Sequence, residues 1–581
     1  MTLRDRAVDS PRHPYEAIAN RPPGSLVARA DTVLRDGWTK RDQPVIHLAG
    51  PIPWDESKPS LRSWVFALHC LDMIEMPLCA HDVTGEDRYL ESPLRVALDW
   101  ISSCADDKAG ARYPFAWYDM AAGMRVHRLA YLWEAGAAAG LLTEAGGTAL
   151  FGAVEDHLRW LADDANVAFH SNHGYYQVAG QLAAARRLAP RSLVARRAEA
   201  QARRRLARLV EAQFAEDGCH LEHSPDYHRM VLDTLRGLIR ADLDPDGTLS
   251  AVARRAEEAL SWFVAPNGRL VNFGDSDDRD MRLRAADAEQ RWSMPAMRHA
   301  ASAGDTGRAP EASQRAFASG GYFAARSEDG AGYLALTACF HSRTHKQADD
   351  LSFVWHERAQ PILIDAGRYG YIDRLAKDDP LRAQGFWYGD DNRRYCESTR
   401  AHNTVAFDGR DAARVGVKPY GSALKRWEQT ADGVHVVEAV VRQHGAIMHE
   451  RRLAWRPGRW LQVVDGWSHE AGSVTAPVQW FHLAPDLEAA ITEDGLIAES
   501  GEGVCVDVSS DARIQPPIRG RTVPELQGWW SPSERRMEEA TAFSIVAEPS
   551  TGGAIVTLFV LNADDRSDAQ IDARRFTAVG E

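Results

Sequence analysis

The chain has few cysteines for its length and no long apolar run. Its seven cysteines among 581 residues are scattered and show no CxxC spacing, which argues against a disulfide framework or a zinc finger and for a reducing compartment. No stretch approaches the roughly 18 apolar residues of a membrane span, so we expect no membrane partner. Residues 1–25 lack the apolar core of a secretory signal. The sequence as it stands predicts a cytoplasmic protein, or a periplasmic or secreted one if a signal was removed.

A surplus of positive charge is also missing. The formal net charge is −14, so no overall basic field attracts a polyanion, and we expect no nucleic-acid partner. An acidic polysaccharide stays compatible with this charge if arginines are concentrated in one cleft. The 18 tryptophans give mild support for a carbohydrate ligand, because indole faces often stack on sugar rings, although they more often fill cores.

The first half of the chain has the periodicity of helices. At 581 residues the chain is too long for a single core, so we expect two or three domains. Apolar residues recur at helical spacing in eight segments. The segments are residues 63–81, 92–104, 119–138, 148–163, 174–188, 191–214, 227–242 and 249–264. Short loops predict antiparallel packing, and without a fixed-period repeat a toroid of helical hairpins, complete or incomplete, is favoured over a solenoid.

The second half changes to the pattern of strands. Residues 303–313 are small, polar and breaker-rich, as expected of a domain boundary. Beyond them, segments rich in β-branched and aromatic residues alternate with turns. These segments are residues 321–326, 333–340, 433–441, 460–465, 478–483 and 554–561. They predict an antiparallel sandwich, so the predicted domains are an N-terminal arm or small cap (1–60), a helical toroid (61–305) and a β-sandwich (314–581).

Residues 341–371 read as a polar entry followed by a hairpin. Alternation of apolar and polar residues over 351–356 predicts a strand with one mainly buried face. Residues 361–365 form a second predicted strand. The hairpin begins near His345 and ends with Asp365 at a loop. Taken alone, this pattern is as consistent with plain scaffold as with a functional site.

Two polar loops precede predicted helices in the first half. Residues 169–177 combine two histidines, an asparagine and two tyrosines, and capping of the next helix by Ser171 or Asn172 is the simple explanation. Residues 217–228 contain the capping sequence Ser224-Pro225-Asp226. Capping does not require the histidines, glutamate and tyrosine that stand beside it. The second half adds two more histidine-containing loops, and four are hard to explain by capping alone.

Seven short motifs occur in a fixed order along the chain. They are WYDMAAGMR (117–125), NHG (172–174), EHSPDYH (222–228), HKQADDLSF (345–353), IDAG (364–367), HNTV (402–405) and GWWSP (528–532). This ordered set resembles the heparinase II/III-like polysaccharide lyases over roughly residues 60 to 540. The resemblance implies an N-terminal incomplete (α/α) toroid followed by a C-terminal antiparallel β-sandwich, with the active site in the cleft between them. It also implies an anionic polysaccharide substrate.

The resemblance further implies cleavage of a uronic-acid-containing polymer by β-elimination, which leaves 4,5-unsaturated uronate ends. A base takes the proton on C5, an acid protonates the leaving oxygen, and donors stabilise the charge that develops on the carboxyl group. Asn172 matches the residue that neutralises this charge, and Tyr227 and His345 match the acid/base pair. Two assignments of the proton transfers stay open. In the first, the base and the leaving group lie on one face of the sugar and Tyr227 makes both transfers. In the second, they lie on opposite faces, with His345 as the base and Tyr227 as the acid.

Further site residues follow from the same resemblance. His402 is a fourth catalytic candidate, which contacts the carboxylate or binds a metal. Guanidinium groups pair with uronate or sulfate in a bidentate manner, so arginines of the second half are candidates for holding substrate. The predicted substrate-binding residues are His173, Glu222, His228, Arg343, Arg393, Arg394 and Arg400.

One departure from the family pattern concerns a metal. Many members have a His-x-His motif at the hairpin start, and here the second histidine is replaced by Gln347. A set of Gln347, Asp365 and His402 offers two oxygens and one nitrogen, which favours calcium or manganese over zinc. We expect one structural divalent ion; hydrogen bonds among the same residues are the alternative. No organic cofactor is expected, and a homo-oligomer stays open.

Two other functions stay open. A toroid-type glycoside hydrolase needs two carboxylates that flank the scissile bond, and candidates are Asp349, Asp350, Glu222 and Asp226. A non-catalytic polysaccharide-binding protein is the third hypothesis. If the protein is a lyase, the sequence does not specify its polymer. It could be a glycosaminoglycan such as heparan sulfate, hyaluronan or chondroitin, or else alginate or a bacterial acidic exopolysaccharide.

Overall fold

The structure is a computed structural model that describes residues 23–40, 43–54, 62–501, 503–562 and 565–577. Much of the predicted arm or cap at 1–60 lies outside the described residues. The residues that are not described are 1–22, 41–42, 55–61, 502, 563–564 and 578–581. The chain divides into two compact units, residues 1–213 with 230–254 and residues 214–229 with 255–581. The predicted domain limits stay a prediction.

The first unit is an incomplete (α/α) toroid, as predicted. Its long helices are Pro23–Asp36, Arg62–Cys70, Glu75–Thr84, Glu91–Cys104, Ala121–Ala138, Glu144–Ala162, His173–Leu188 and Leu193–Gln213. Helices Pro225–Arg240 and Thr248–Trp262 each cross the division between the units. The helix predicted at 148–163 begins earlier, because the Thr143 side chain caps it by accepting a hydrogen bond of 3.1 Å from the Gly146 amide.

The predicted helix at 63–81 is broken into two. Leu71 has a left-handed φ of 63° between Arg62–Cys70 and Glu75–Thr84, a backbone conformation that ends a helix. Among the described residues no single helix is long and apolar enough to span a membrane. The pair Ser63–Cys70 and Asp72–Thr84, bent by 60°, passes that test together by length and composition only.

Two helices of this unit touch backbone to backbone. A Cβ at Gly180 would meet the carbonyl of Gly123, and one at Gly123 would lie 2.6 Å from the Tyr176 carbonyl oxygen. The missing side chains therefore let Ala121–Ala138 and His173–Leu188 cross closely. This crossing fixes the start of the second helix, where the 172–174 motif lies.

The second unit is an antiparallel β-sandwich, as predicted, and its described residues form 22 strands in chain order. The strands are β1 Gln314–Phe317, β2 Tyr322–Arg326, β3 Tyr333–Thr337, β4 Cys339–Phe340, β5 Phe353–Glu357, β6 Gln360–Leu363, β7 Val405–Phe407, β8 Gly421–Ser422, β9 Leu424–Gln429, β10 His435–Gln443, β11 Ile447–Arg456, β12 Trp460–His469, β13 Pro477–His482, β14 Leu487–Thr492, β15 Gly495–Ser500, β16 Cys505–Ser510, β17 Arg513–Ile514, β18 Ile518–Arg519, β19 Trp529–Ser533, β20 Arg536–Glu539, β21 Thr541–Val546 and β22 Gly552–Val560. Short helices also belong to this unit. They are Ala285–Arg291, Pro295–Ala301, Pro380–Ala383, Asp391–Glu397 and Arg566–Ala573.

Three sheets carry most of these strands. An eight-stranded sheet has the order β14-β15-β16-β22-β12-β11-β10-β9, and a five-stranded sheet has the order β1-β2-β3-β5-β6. A third sheet has the order β17-β21-β13-β7, with β18 also paired to β21. One apolar core contains Phe353, Phe481 and Phe559, which come from different sheets. The sheets therefore pack face to face through a shared core.

The predicted hairpin is β5 and β6, which pair in antiparallel register. Its turn is shorter than predicted, because Arg358 and Ala359 adopt left-handed φ angles of 52° and 58°. All five residues of β5 are buried, whereas the sequence predicted one mainly buried face. The polar face is covered as well: His356, for example, packs edge-on against Tyr333. The hairpin thus lies inside the sandwich, with Asp365 just beyond its second strand.

Candidate active site

Tyr227 lies on the first turn of a capped helix in the second unit. Ser224 accepts a hydrogen bond of 3.2 Å from the Tyr227 amide, which confirms the predicted cap. The Ser224 hydroxyl also lies 2.7 Å from the Ser276 hydroxyl. Asp226 accepts hydrogen bonds from Nη2 and Nε of Arg279, at 2.7 and 2.8 Å. These contacts bind the start of the helix to residues 275–279.

His345 lies on a strained loop that is tied to the same helix start. Its φ is 56°, a left-handed value that costs a non-glycine residue about 1 kcal/mol. His223 holds the loop, because its ring nitrogens bond the Thr344 carbonyl and the His341 amide, both at 2.8 Å. A Cβ at Gly274 would meet the His223 carbonyl and lie 2.9 Å from the His345 carbonyl oxygen. The loops that carry His223 and His345 can therefore both approach the backbone of Gly274, because it has no side chain.

The rings of Tyr227 and His345 are stacked on each other. Their centroids are 3.5 Å apart, with an angle of 21° between the planes. A third ring, Tyr371, joins them through its hydroxyl, which lies 2.9 Å from the Tyr227 hydroxyl and 2.9 Å from His345 Nδ1. The same hydroxyl donates to Asp275 Oδ2 at 3.0 Å. The structure thus brings the two predicted acid/base residues into direct contact.

A buried carboxylate, Asp275, organises this cluster. Its oxygens lie 3.0 Å from His345 Nδ1, 3.0 Å from Gln347 Nε2 and 2.6 Å from an Arg393 nitrogen. Burial alone would raise the pKa of Asp275, but the Arg393 charge and the His345 hydrogen bond hold that pKa well below its ordinary value. Asp275 is therefore a carboxylate that fixes the orientation of His345.

The electrostatics around Tyr227 act in opposite directions. Burial raises the pKa of the Tyr227 phenol above its ordinary value, whereas the Arg368 charge and the Tyr371 hydrogen bond lower it. The Arg368 guanidinium lies 5.5 Å from the centre of the Tyr371 ring. It is held in place by both oxygens of Asp277, at 2.7 and 3.1 Å. Burial outweighs both effects, so the pKa of Tyr227 lies above its ordinary value, and the Arg368 charge is the fixed cation that stabilises the ionised form.

The three residues predicted to hold a metal are all buried in this unit. His402 Nδ1 lies 3.0 Å from Asp365 Oδ2, and Gln347 Nε2 donates to the Gly274 carbonyl at 3.0 Å. Burial lowers the pKa of His402, but the Asp365 charge outweighs it and raises that pKa. Each residue also keeps one buried polar atom that has no hydrogen-bond partner among the described residues: Gln347 Oε1, Asp365 Oδ1 and His402 Nε2.

Two unpartnered oxygens and one unpartnered nitrogen fit a hard divalent cation. The described residues contain no group of three or more histidine, cysteine, aspartate and glutamate side chains placed for a metal. An ion at this position would therefore depend on the oxygen of Gln347.

The remaining predicted substrate residues have different surroundings. His228 is buried, and its ring nitrogens bond the Ala256 carbonyl at 2.8 Å and the His220 amide at 3.3 Å. Both nitrogens are used by the backbone, so the ring offers nothing to a substrate. Glu222 lies near the cluster, with an oxygen 3.8 Å from His345 Nε2.

The four predicted arginines also differ from one another. Arg393 is buried between Asp275 and Glu397, each 2.6 Å away, and acts on Asp275 rather than on solvent. Arg394 pairs with Asp391 at 3.1 Å, and Arg400 pairs with Glu525 at 2.8 Å. Arg343 is exposed and lies beside Trp387.

Asn172 and His173 belong to the helical unit. Asn172 is buried, and its side chain makes no capping hydrogen bond to the helix that follows, so capping does not explain it. His173 Nδ1 lies 2.6 Å from Asp119 Oδ2, and Gln177 donates to the Asp119 carbonyl at 3.1 Å. Asp119 thus fixes the loop within its own unit. The predicted roles of both residues stay predictions.

The sequence reasoning missed two members of the cluster. Asp275 lies in the acidic stretch 275–280, which reads as a solvated turn. Tyr371 closes the segment 341–371 that drew attention for its histidines, but it received no role. Spacing along the chain gave no signal for Tyr371, because its partner His345 lies 26 residues earlier in the sequence.

Solved structures with the same fold are heparinases. Over 93% of this chain and 86% of the other, the chain matches the crystal structure of heparinase III with a TM-score of 0.73 and 17% identity. The heparan sulfate lyase HepC from Pedobacter heparinus matches over 94% of this chain and 86% of its own, with a TM-score of 0.66 and 17% identity. At this level of identity the two structures show a shared fold.

Sequence comparison agrees with the fold. The curated heparin-sulfate lyase of Pedobacter heparinus is 23% identical over 269 residues, which cover 44% of this chain and 38% of that protein. The match thus spans well under half of the relative. Residues 30–290 match the model of the heparinase II/III N-terminus, and residues 309–571 match the heparinase II/III-like C-terminal model. The two models together account for most of the sequence, so the chain belongs to the heparinase II/III-like family.

Proposed function

We propose that this protein cleaves a uronic-acid-containing polysaccharide, such as a glycosaminoglycan, by β-elimination. The observation that carries the proposal is the Tyr227–His345 stack, whose groups are held by Tyr371 and Asp275. Proton transfer next to a carboxylate needs a base, an acid and fixed donors in one place. The name of the curated relative, a heparin-sulfate lyase, supports the same substrate class.

The proposed reaction proceeds through Tyr227. Its phenolate oxygen takes the proton from C5 of the uronate, and the electrons of the C5–H bond form the double bond between C4 and C5. The bond from C4 to the leaving oxygen then breaks, and its electron pair stays on that oxygen. Tyr227, now a phenol, returns the proton to the leaving oxygen and is a phenolate again. No water is consumed.

The geometry favours transfer of both protons on one face of the sugar. Elimination from opposite faces requires a base and an acid with the sugar ring between them. The rings of Tyr227 and His345 are only 3.5 Å apart, so no sugar can enter between them. We therefore assign both transfers to Tyr227. His345 fixes the plane of the phenol and is itself oriented by Asp275.

The hydrolase alternative needs two available carboxylates, and most candidates are already paired. Lys346 binds both Asp349 and Asp350, and these two acids are buried. Asp226 is held by Arg279 and Arg229, at 2.7 and 3.0 Å. A general acid and base pair for hydrolysis is therefore disfavoured.

The divalent ion is part of the proposal, with Gln347, Asp365 and His402 as the residues that would hold it. When bound, it would supply positive charge that offsets Asp365 and joins the hairpin to the His402 loop. Native mass spectrometry after incubation with calcium or manganese should detect one ion per chain, and a chelator should lower the melting temperature. Protein that takes up neither ion, with an unchanged melting temperature, would contradict this part of the proposal.

The reaction is tested with a panel of heparan sulfate, hyaluronan, chondroitin, alginate and bacterial acidic exopolysaccharides. Turnover should generate the ultraviolet absorbance of 4,5-unsaturated uronate with at least one polymer. Tyr227→Phe should lower kcat by about 10²–10⁴-fold on that polymer, because the proton carrier is removed. Tyr369→Phe, which removes a hydroxyl outside the cluster, is the matched control and should keep the wild-type rate.

The proposal fails if reducing ends appear without new absorbance, which is the result expected of a hydrolase. It also fails if Tyr227→Phe turns over as fast as the wild type. Binding of polymers without any turnover, unaffected by Tyr227→Phe, would identify a non-catalytic binding protein.

A further inference from the structure

Two arginines next to the proposed reaction centre, Arg343 and Arg382, pack against one tryptophan. The guanidinium carbons of Arg382 and Arg343 are 4.0 and 5.4 Å from the centre of the Trp387 ring. Among the described residues, neither guanidinium forms an ion pair, in contrast to Arg394 and its partner Asp391. Two cations held against one ring without a counter-ion leave room for an anion.

More positive charge surrounds this pair. The Arg414 guanidinium packs on the backbone of the same loop, since a Cβ at Gly385 would lie 3.4 Å from Arg414 Nε, and it is paired with Glu397 at 3.0 Å. Burial lowers the pKa of Arg343, and the charges of Arg414 and Arg382 lower it further. An anion bound between these groups would remove the mutual repulsion. Arg343 and Trp387 are both exposed, Trp387 by 38% of its surface, so a ligand can reach them from solvent.

The cluster is continuous with the reacting groups. Arg343 precedes His345 by two residues on the same loop. On the other side, Tyr388, the residue after Trp387, packs its ring 5.2 Å from that of Tyr371. The Trp387 loop is held by its backbone, with the Leu375 amide 3.1 Å from the Trp387 carbonyl. A polymer whose uronate lies at Tyr227 would extend along this wall.

We propose that Arg343, Arg382 and Trp387 form a subsite that binds the anionic group, sulfate or carboxylate, of a sugar next to the one cleaved. The inference rests on the proposed function. It adds which group of the neighbouring sugar the same site recognises. A planar guanidinium binds either oxyanion in a bidentate manner. The indole offers an apolar face to the sugar ring. Because the subsite is removed from the reacting atoms, it acts on substrate binding and not on proton transfer.

The test compares the double variant Arg343→Gln/Arg382→Gln with its parent in two assays. In the otherwise wild-type enzyme, KM for the polymer that is cleaved should rise about tenfold while kcat stays the same. In the Tyr227→Phe background, calorimetry should give a matching loss of affinity for a heparan sulfate oligosaccharide of fixed length. The control is Arg426→Gln, which removes an exposed arginine paired with Glu428 and should leave both values unchanged.

Two further oligosaccharides of the same length identify the anion. One is the unsulfated polymer backbone, which keeps its carboxylates, and the other has its carboxylates reduced to alcohols and carries no sulfate. A loss of affinity confined to the sulfated probe assigns sulfate, and a loss for both charged probes assigns carboxylate. An equal loss for the neutral probe, or no loss at all, overturns the subsite.

The failure of the subsite can be told apart from the failure of the function. If the wild type generates unsaturated uronate and the double variant keeps its KM, only the subsite is wrong. If the wild type cleaves no uronate polymer, the proposed function fails and the subsite fails with it.

Discussion

Each unit of the molecule buries an arginine, but the two arginines have opposite surroundings. In the helical unit Arg125 lies 3.8 Å from the centre of the Trp100 ring and 2.9 Å from His157 Nε2. Burial lowers the pKa of Arg125 to about 9. In the sandwich unit Arg393 lies between Asp275 and Glu397, and these charges outweigh burial and raise its pKa.

The difference separates packing from chemistry. Among the described residues Arg125 bonds neutral acceptors only, so its charge orients no carboxylate there and the side chain serves the core. Arg393 keeps Asp275 ionised, and Asp275 in turn orients His345 and Tyr371. Burial alone therefore does not mark a functional arginine. The marker is a buried arginine whose carboxylate partner contacts a group that can move a proton.

The largest expected effect comes from removing the paired arginine. Arg393→Met should lower the free energy of unfolding by about 3–5 kcal/mol, because two buried carboxylates lose their counter-charge. It should also lower kcat, since Asp275 no longer stays fixed. Arg125→Met in the other unit should cost only about 1–3 kcal/mol, since neutral acceptors are left unpaired, and should not change kcat. Urea unfolding measures the free energy of unfolding, and the absorbance assay measures kcat. Equal effects of the two variants on both quantities would contradict the distinction between the two arginines.

A smaller effect is expected from neutralising the carboxylate without changing its shape. Asp275→Asn should lower kcat on the order of 10²-fold, because His345 and Tyr371 lose the charge that orients them. Asp465→Asn is the matched control: Asp465 is equally buried and paired with Arg451 and His449, at 2.6 and 2.8 Å, but contacts no proposed proton carrier. It should lower stability and leave kcat within a few-fold. Comparable losses of kcat in both variants would mean that Asp275 is only structural.

The smallest effect concerns pH. The phenolate fraction of Tyr227 increases tenfold per pH unit below its pKa, so kcat/KM should rise toward alkaline pH. Arg368 lowers that pKa, so Arg368→Gln should raise it. The rise of kcat/KM with pH should then shift to higher pH in this variant. At neutral pH the rate should fall by less than about tenfold. An alkaline limb that does not move in Arg368→Gln would show that the Arg368 charge does not act on the base.

Much of the architecture could be predicted from local patterns. Apolar spacing identified seven of the eight predicted helical segments as single helices, and the change of pattern after residues 303–313 identified the sandwich. Helix limits were less predictable where one residue decided them. Leu71 breaks a helix through a left-handed backbone, and Thr143 starts another earlier through its side chain, neither of which changes the apolar spacing.

The candidate site was only partly predictable, for a physical reason. Tyr227 and His345 stand in motifs with recognisable order, and the structure places them in contact. Asp275 stands in an acidic run, and such runs are usually solvated; only the tertiary contacts with Arg393 bury it. Arg393 was predicted to hold substrate, since the sequence gives its charge but not its neighbours. Long-range pairing is not encoded in spacing along the chain.

Gly274 limits which amino-acid substitutions this chain can tolerate near Tyr227 and His345. Any side chain there would collide with the carbonyls of His223 and His345, so the distance between the loops of Tyr227 and His345 is set by the backbone. Mutations in the surrounding side chains cannot adjust it in small steps. The side chains of Arg343, Arg382 and Trp387 have no such constraint, because they are exposed or half-buried. If the proposed subsite binds substrate, drift in sequence can alter which polymer is accepted, while the spacing of Tyr227 and His345 stays the same.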